Sequence, residues 1–121
     1  MTVDQGESLL GLVEVIDDVA RNVRFMHMDH SIIGAQSREN HAAAFAFLHV
    51  IEAFRFARPQ ADSLLAIGLG AGSVPTALHP QGKKFDGVEV DPLILQMAQK
   101  HFGFVSNGDV FRRHFPVLTE L

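Results

Sequence analysis

The sequence predicts an α/β fold in which a short parallel sheet follows a small β-module. Three observations carry this. From Leu64 to Leu78 the chain reads LLAIGLGAGSVPTAL, an apolar run that breaks into three alternating glycines and resumes in a helical pattern. Near Arg38 the periodicity changes, with strand-like runs before it and alternating helix and strand after it. The order that follows the change is β-α-β-α, the arrangement of a parallel sheet. At 121 residues and 13.3 kDa the chain fits one small domain with its own core.

Leu10 to Ile16 (LGLVEVI) and Val23 to Met28 (VRFMHM) are β-rich runs. The polar segment Asp17 to Asn22 joins them as a hairpin turn, and Ser31 to Gly34 is a candidate third strand. From Arg38 to Ala57, RENHAAAFAFLHVIEAFRFA reads as one amphipathic helix, with Phe47, Ile51 and Phe54 at helical spacing and Pro59 past its end. Phe45, Phe47, Phe54 and Phe56 are expected to pack against the sheet. Leu64 to Ile67 is a buried strand, Ser73 to Leu78 a short helix with Pro75 in its first turn, and Phe85 to Val90 a second strand. Pro92 to Phe102 is a second helix. Asp91 caps it, Pro92 takes its first position, and Gly103 fits the left-handed residue beyond its last turn.

Composition excludes several classes of function. A formal charge of -4 without a Lys/Arg run gives no footprint for nucleic acid. Cysteine is absent, so neither disulfides nor thiolate metal sites are expected. The amino terminus MTVDQGESLL is too acidic for a signal peptide, and Glu52 and Arg55 interrupt the best apolar run before the roughly 18 residues of a membrane helix. A cytoplasmic protein with no membrane partner is the expectation. His27 and His30 fall on opposite faces of an extended strand, and His41 and His49 share a face of the long helix, so packing or solvation explains them better than a metal. Without Trp or Tyr an aromatic cage for a cationic amine is hard to build.

The segment Gly68-Leu69-Gly70-Ala71-Gly72 is a strand-to-helix turn, and open α/β sheets bind ligands outside the carboxyl ends of their strands. Glycine serves where a Cβ would block a ligand or forbid the backbone angles. A plain tight turn would use the same residues. Glu89 ends the next strand at the spacing of an acid that accepts hydrogen bonds from ribose hydroxyls, although a solvated strand-end carboxylate would look alike. A dinucleotide fingerprint wants Gly or Ala where Ser73 stands, and the helix that follows is short and holds Pro75. A pyrophosphate site is disfavoured.

IGLGAGSVPTAL followed by VEVDPLILQMAQKHFGF resembles the spermidine synthase-like (polyamine aminopropyltransferase-like) branch of the class I S-adenosylmethionine-dependent methyltransferase fold. In that branch the first strand runs into a GxGxG turn and the second ends in an E-x-D-P helix start. Upstream, GLVEVIDDVARNVRFMHMDHSIIGAQS resembles its amino-terminal β-module, so the likeness covers about residues 10 to 104. Ala66 stands where ordinary methyltransferases of this fold place an acid and this branch often has an apolar residue.

The resemblance implies a Rossmann-like, methyltransferase-type sheet, with residues 1–37 as an N-terminal β-hairpin module and 38–121 as the first half of a nucleoside-binding domain. Gly68, Gly70 and Gly72 would line the amino-acid end of the adenosyl cofactor, Glu89 would hold its ribose, and Asp91 would support the loop or cap the helix. Gln36 would match a glutamine near the cofactor under one of the local alignments the resemblance allows. The cofactor would be S-adenosylmethionine or decarboxylated S-adenosylmethionine, and the reaction an amine's attack on a sulfonium carbon. Asp109 in NGDVF is the candidate for the family's adenine-recognising acid. Only Val105 to Gly108 separate it from FGF, so NGD is read as a turn and Val110 to Phe115 as the strand, which removes Asp109 from the site. The chain ends at Leu121, before the strand that supplies the family's acidic proton acceptor. An incomplete or inactive form is therefore expected, with no catalytic residue assigned and apolar faces left for a homo-oligomer or a partner chain. Two alternatives stay open, a dinucleotide-binding oxidoreductase fragment and a non-catalytic interaction module.

Overall fold

The computed structural model describes residues 1–42, 44, 57, 60, 63–72, 84–104, 110 and 111. Residues 2–37 form a four-stranded antiparallel meander of β1 (Thr2–Ser8), β2 (Gly11–Asp18), β3 (Val23–Met28) and β4 (Ser31–Ser37), in that order across the sheet. This corrects the expected hairpin module by one whole strand. β1, TVDQGES, is polar and largely exposed, so no apolar alternation announces it; its ladder with β2, from Thr2 opposite Ile16 to Ser8 opposite Gly11, makes it a strand. β2 alternates cleanly and buries Val13, Val15 and Asp17 on one face. β3 and β4 join through Asp29 and His30, whose φ values of 46° and 67° give the two left-handed residues of a type I′ hairpin. His30 is thus in the turn and not in the strand with His27, whose ring meets the Phe25 ring edge-on at 6.0 Å.

The chain does not enter a helix at Arg38. Residues 38–40 turn, His41 has a φ of 58°, and Ala42 and Ala44 carry no regular structure. Ser37 N donates to Ala42 O and Ala44 N to Ala35 O, so the segment folds back along β4. Short polar side chains cause this by competing for backbone groups: Ser37 Oγ accepts from Glu39 N and Asn40 Oδ1 from Ala42 N. Of the rest of the expected long helix, Ala57 is helical, and residues 45–56, with Phe45, Phe47, His49, Phe54 and Phe56, lie outside the described residues. So do the expected helix Ser73 to Leu78, Asp109 and residues 112–115.

A parallel sheet follows, with β6 (Lys84–Val88) between β5 (Ser63–Ile67) and β7 (Val110–Phe111). Helix α1 (Pro92–His101) connects β6 to β7 as a βαβ unit. Its ends follow the capping chemistry: Asp91 Oδ1 accepts from Leu93 N at 3.0 Å, Pro92 opens the helix, and Gly103 has a φ of 65°. β6 stops at Val88 and not at Val90. Ile94, Leu95, Met97 and Ala98 of α1 and Phe102 and Phe104 beyond it form a core with Leu69 and Ala71 of the glycine turn and with Val13, Val15 and Met26 of the meander. One core therefore joins the two sheets. Among the described residues no helix is long and apolar enough to cross a membrane.

An ion network reinforces that junction. Asp17 stands on the apolar face of β2, directly opposite Arg24 in the ladder. Its Oδ1 accepts from Arg24 Nε at 2.7 Å, and its Oδ2 accepts from Arg24 Nη2 at 2.9 Å and Arg38 Nε at 3.1 Å. Arg24 Nη1 also donates to His101 O at 3.0 Å, one of the carbonyls that the end of α1 leaves unpaired. The Arg24 guanidinium, helped by Arg38, holds the Asp17 carboxyl below the usual carboxylate range. At the edge of the meander, Asp4 accepts from Lys100 Nζ at 2.8 Å and pairs with His101 Nε2 at 2.7 Å, and its carboxyl is lowered to about 2 by these two partners.

Candidate functional site

The glycine turn leaves β5 in a conformation that side chains resist. Gly68, Gly70 and Gly72 have φ values of 82°, 53° and 73°. The turn is closed by Gly72 N donating to Leu69 O at 2.9 Å and tied to β6 by Gly68 N donating to Val88 O at 2.7 Å. The three glycines face different surroundings. A Cβ on Gly70 would lie 2.7 Å from Ile33 O, and one on Gly72 would lie 2.7 Å from Phe104 Cδ2. Among the described residues, a Cβ on Gly68 would meet nothing within 4 Å. The protein itself fills the space beside Gly70 and Gly72, whereas none of the described residues covers the backbone face of Gly68.

Glu89 is bound into the same unit. It is only 5% exposed, which sets aside a solvated strand-end carboxylate. Its Oε1 accepts from Leu69 N at 3.0 Å and its Oε2 from Asp91 N at 3.3 Å. Each carboxylate oxygen can accept two hydrogen bonds, so each keeps capacity for a further donor. Asp91 is buried as well. While Oδ1 caps α1, Oδ2 finds no hydrogen-bond partner among the described residues.

A cleft of about 430 Å³ opens beside Asp91, between the start of α1 and the tip of the β1–β2 hairpin. Val90, Pro92 and Leu93 form one wall, Glu7, Ser8, Leu9 and Leu10 the other. The volume falls in the range of small-molecule sites. Ser8 Oγ accepts from Leu10 N at 3.1 Å and donates to Gly11 O at 3.0 Å, which holds the tip in shape. Leu10 lies in this turn and not in the strand expected to start with it. In the sequence, two leucines between a serine and a glycine were the available sign of a hairpin tip rather than a core; in the structure Leu9 is 96% exposed. Gln36 is buried in β4 with its Oε1 3.3 Å from His41 Nδ1.

No family model matches the chain. It is 30% identical, over 98% of its length, to an N-terminal histidine N-methyltransferase of Emericella nidulans, covering 23% of that protein. Over 50% of its length it is 38% identical to a polyamine aminopropyltransferase of Vibrio vulnificus, covering 21% of it. Over 63% of its length it is 36% identical to an eEF1A lysine and N-terminal methyltransferase of Mus musculus, covering 11%. The chain thus spans less than a quarter of these curated relatives. A probable spermidine synthase from Corynebacterium glutamicum matches 97% of this chain and 46% of its own at a TM-score of 0.73 and 15% identity. The fold is therefore of the methyltransferase type. Within that type the chain resembles the spermidine synthase-like branch: the relatives by sequence named above are methyltransferases and a polyamine aminopropyltransferase, and the fold is shared with a probable spermidine synthase.

Proposed function

We propose that this chain forms the nucleoside-binding part of a transferase that uses a sulfonium donor, S-adenosylmethionine or its decarboxylated form, with residues 1–37 as its N-terminal module and 38–121 as the first half of its nucleoside domain. The observation that carries this is the bond from Leu69 N to the buried Glu89 Oε1. It makes the turn and the acid one rigid unit at the carboxyl edge of a parallel sheet, where such folds take ligands. The residues fit the group. Gly68 offers uncovered backbone to the amino-acid end, Glu89 keeps acceptor capacity for ribose hydroxyls, and Val90, Pro92 and Leu93 give an apolar wall beside it. Gly70, Gly72 and Asp91 act one step back, by shaping the turn and starting α1. When bound, the donor supplies a carbon activated by its sulfonium for attack by an amine.

Calorimetry on the full chain tests this with S-adenosylhomocysteine, methylthioadenosine and NAD. Binding of the first two and not of NAD is expected; the reverse pattern would favour a dinucleotide site, and no binding at all an interaction module. Gly68→Ala is expected to keep the fold, because its methyl meets none of the described residues, at a cost of about 1–2 kcal/mol for the left-handed angle. It should nevertheless lose adenosylhomocysteine affinity. Full affinity in the folded variant would place the ligand elsewhere. Glu89→Gln should weaken binding by roughly 1.5–3 kcal/mol, the worth of a hydrogen bond to a charged acceptor. A 2′-deoxy analogue should bind wild type and Glu89→Gln with more similar affinities than the parent nucleoside does. Equal binding of deoxy and parent nucleosides by wild type would defeat the ribose assignment.

A further inference from the structure

We infer that β4 belongs to the ligand-binding apparatus and that Gly34 is a positioning residue for the Gly68–Gly72 turn, an inference that rests on the nucleoside reading above. A Cβ on Gly34 would lie 2.5 Å from Ala71 Cβ, 3.0 Å from Ala71 N and 3.3 Å from Ala71 Cα. One residue earlier in each segment, Ile33 O occupies the space a Cβ on Gly70 would need, at 2.7 Å. The strand and the turn therefore touch at two successive residues of each, and at both contacts one partner is glycine. Gly34 has no left-handed angle to explain it, and glycine weakens a strand interior. Its place in SIIGAQS is accounted for by close approach of the turn.

The turn is gripped from two sides. β6 fixes its entrance through Val88 O to Gly68 N and Glu89 to Leu69 N, and β4 fixes its exit at Gly70 and Ala71. Among the described residues, the face left uncovered is that of Gly68. Where the Gly68 backbone stands relative to Glu89 thus depends on the amino-terminal sheet as much as on β6. A methyl on Gly34 must drive Ala71 away by about 1 Å to reach ordinary carbon–carbon separation. Binding groups have to be held within about 0.5 Å of their working geometry, so affinity should suffer although Gly34 touches no ligand.

Gly34→Ala, Ala71→Gly and the double swap Gly34→Ala/Ala71→Gly test this by adenosylhomocysteine calorimetry, thermal melting and the amide resonances of Gly68, Gly70 and Gly72. Gly34→Ala should raise Kd ten-fold or more and shift the three glycine resonances. The swap removes the methyl that the new one strikes, and should bring Kd to within about three-fold of the parent. A folded Gly34→Ala protein that melts lower but keeps its Kd and its glycine resonances would show a merely structural contact and overturn the inference. If Gly34→Ala alone does not fold, the swap decides: a folded swap with near-parental Kd supports the contact, and a swap that fails to recover overturns it. If wild type binds no nucleoside, the functional reading fails separately. The resonances then decide the positioning claim, supporting it if they move in Gly34→Ala and return in the swap and overturning it otherwise.

Discussion

Gly70→Val is expected to abolish nucleoside binding and to destabilise the fold by roughly 2–5 kcal/mol, through left-handed strain and overpacking together. The two costs arise at one atom. At a φ of 53° the Cβ of an L-residue is strained, and β-branching makes it worse. That Cβ would also lie 2.7 Å from Ile33 O, a backbone atom at the irregularity where the β3–β4 register skips Ile33 between Gly34 opposite Met26 and Ile32 opposite His27, and a backbone atom cannot step aside as a side chain can. The turn must move instead, taking Ala71 out of the shared core and Leu69 N away from Glu89. Urea unfolding followed by tryptophan-independent probes such as circular dichroism should show a lower midpoint, and calorimetry the loss of binding. The contrast with Gly68→Ala is the diagnostic. A Gly70→Val protein with the parental midpoint and the parental affinity would mean that the turn does not hold this geometry in solution.

The strand-to-helix turn was legible because it is local. An apolar strand, alternating glycines and a strand-end acid lie within 26 consecutive residues from Leu64 to Glu89, and the Asp91-Pro92 start of α1 follows at once; the expected burial of that strand does not hold, since Leu65 and Ile67 are exposed. What separates the three glycines was not legible, because the atoms beside them, Ile33 O and Phe104, come from distant segments. β1 escaped notice for a related reason: its residues carry no apolar alternation, and only its ladder to β2 makes it a strand. The helix expected from Arg38 misjudged a capping contest, in which Ser37 and Asn40 bind nearby backbone groups before the alanine-rich run begins. Two further signals stand in the sequence. Gly34 interrupts an otherwise good strand, the mark of close backbone approach. Val13, Val15 and Asp17 share a face at period two, so a carboxylate continues an apolar row and calls for a buried partner.

That partner makes Asp17→Asn the other large effect. The substitution keeps the shape but leaves Arg24 and Arg38 facing a neutral amide in place of the carboxylate that both now bind. Removing one member of a buried pair costs about 3–5 kcal/mol, and about 3 kcal/mol is expected here because the Arg24 and Arg38 side chains keep 23% and 32% of their exposure. The loss should depend on pH in a determined direction. The folded carboxyl is held below its ordinary value, so between the two values the unfolded chain binds the extra proton and stability rises with pH. The contribution is complete above the unfolded value of about 3.9 and disappears as pH falls through the folded one. Wild type should therefore lose midpoint steeply below about pH 4, and Asp17→Asn less steeply, so that the two curves converge in acid. Some slope must survive in the variant, because Asp4, lowered to about 2 by Lys100 and His101, titrates in the same direction. Because Arg24 also holds His101 O, the variant should further loosen the end of α1, read as faster amide exchange around Phe102 than around Leu95. Parallel curves for the two proteins from neutral pH into acid would show that the Asp17 carboxylate is not what ties the meander to the helix.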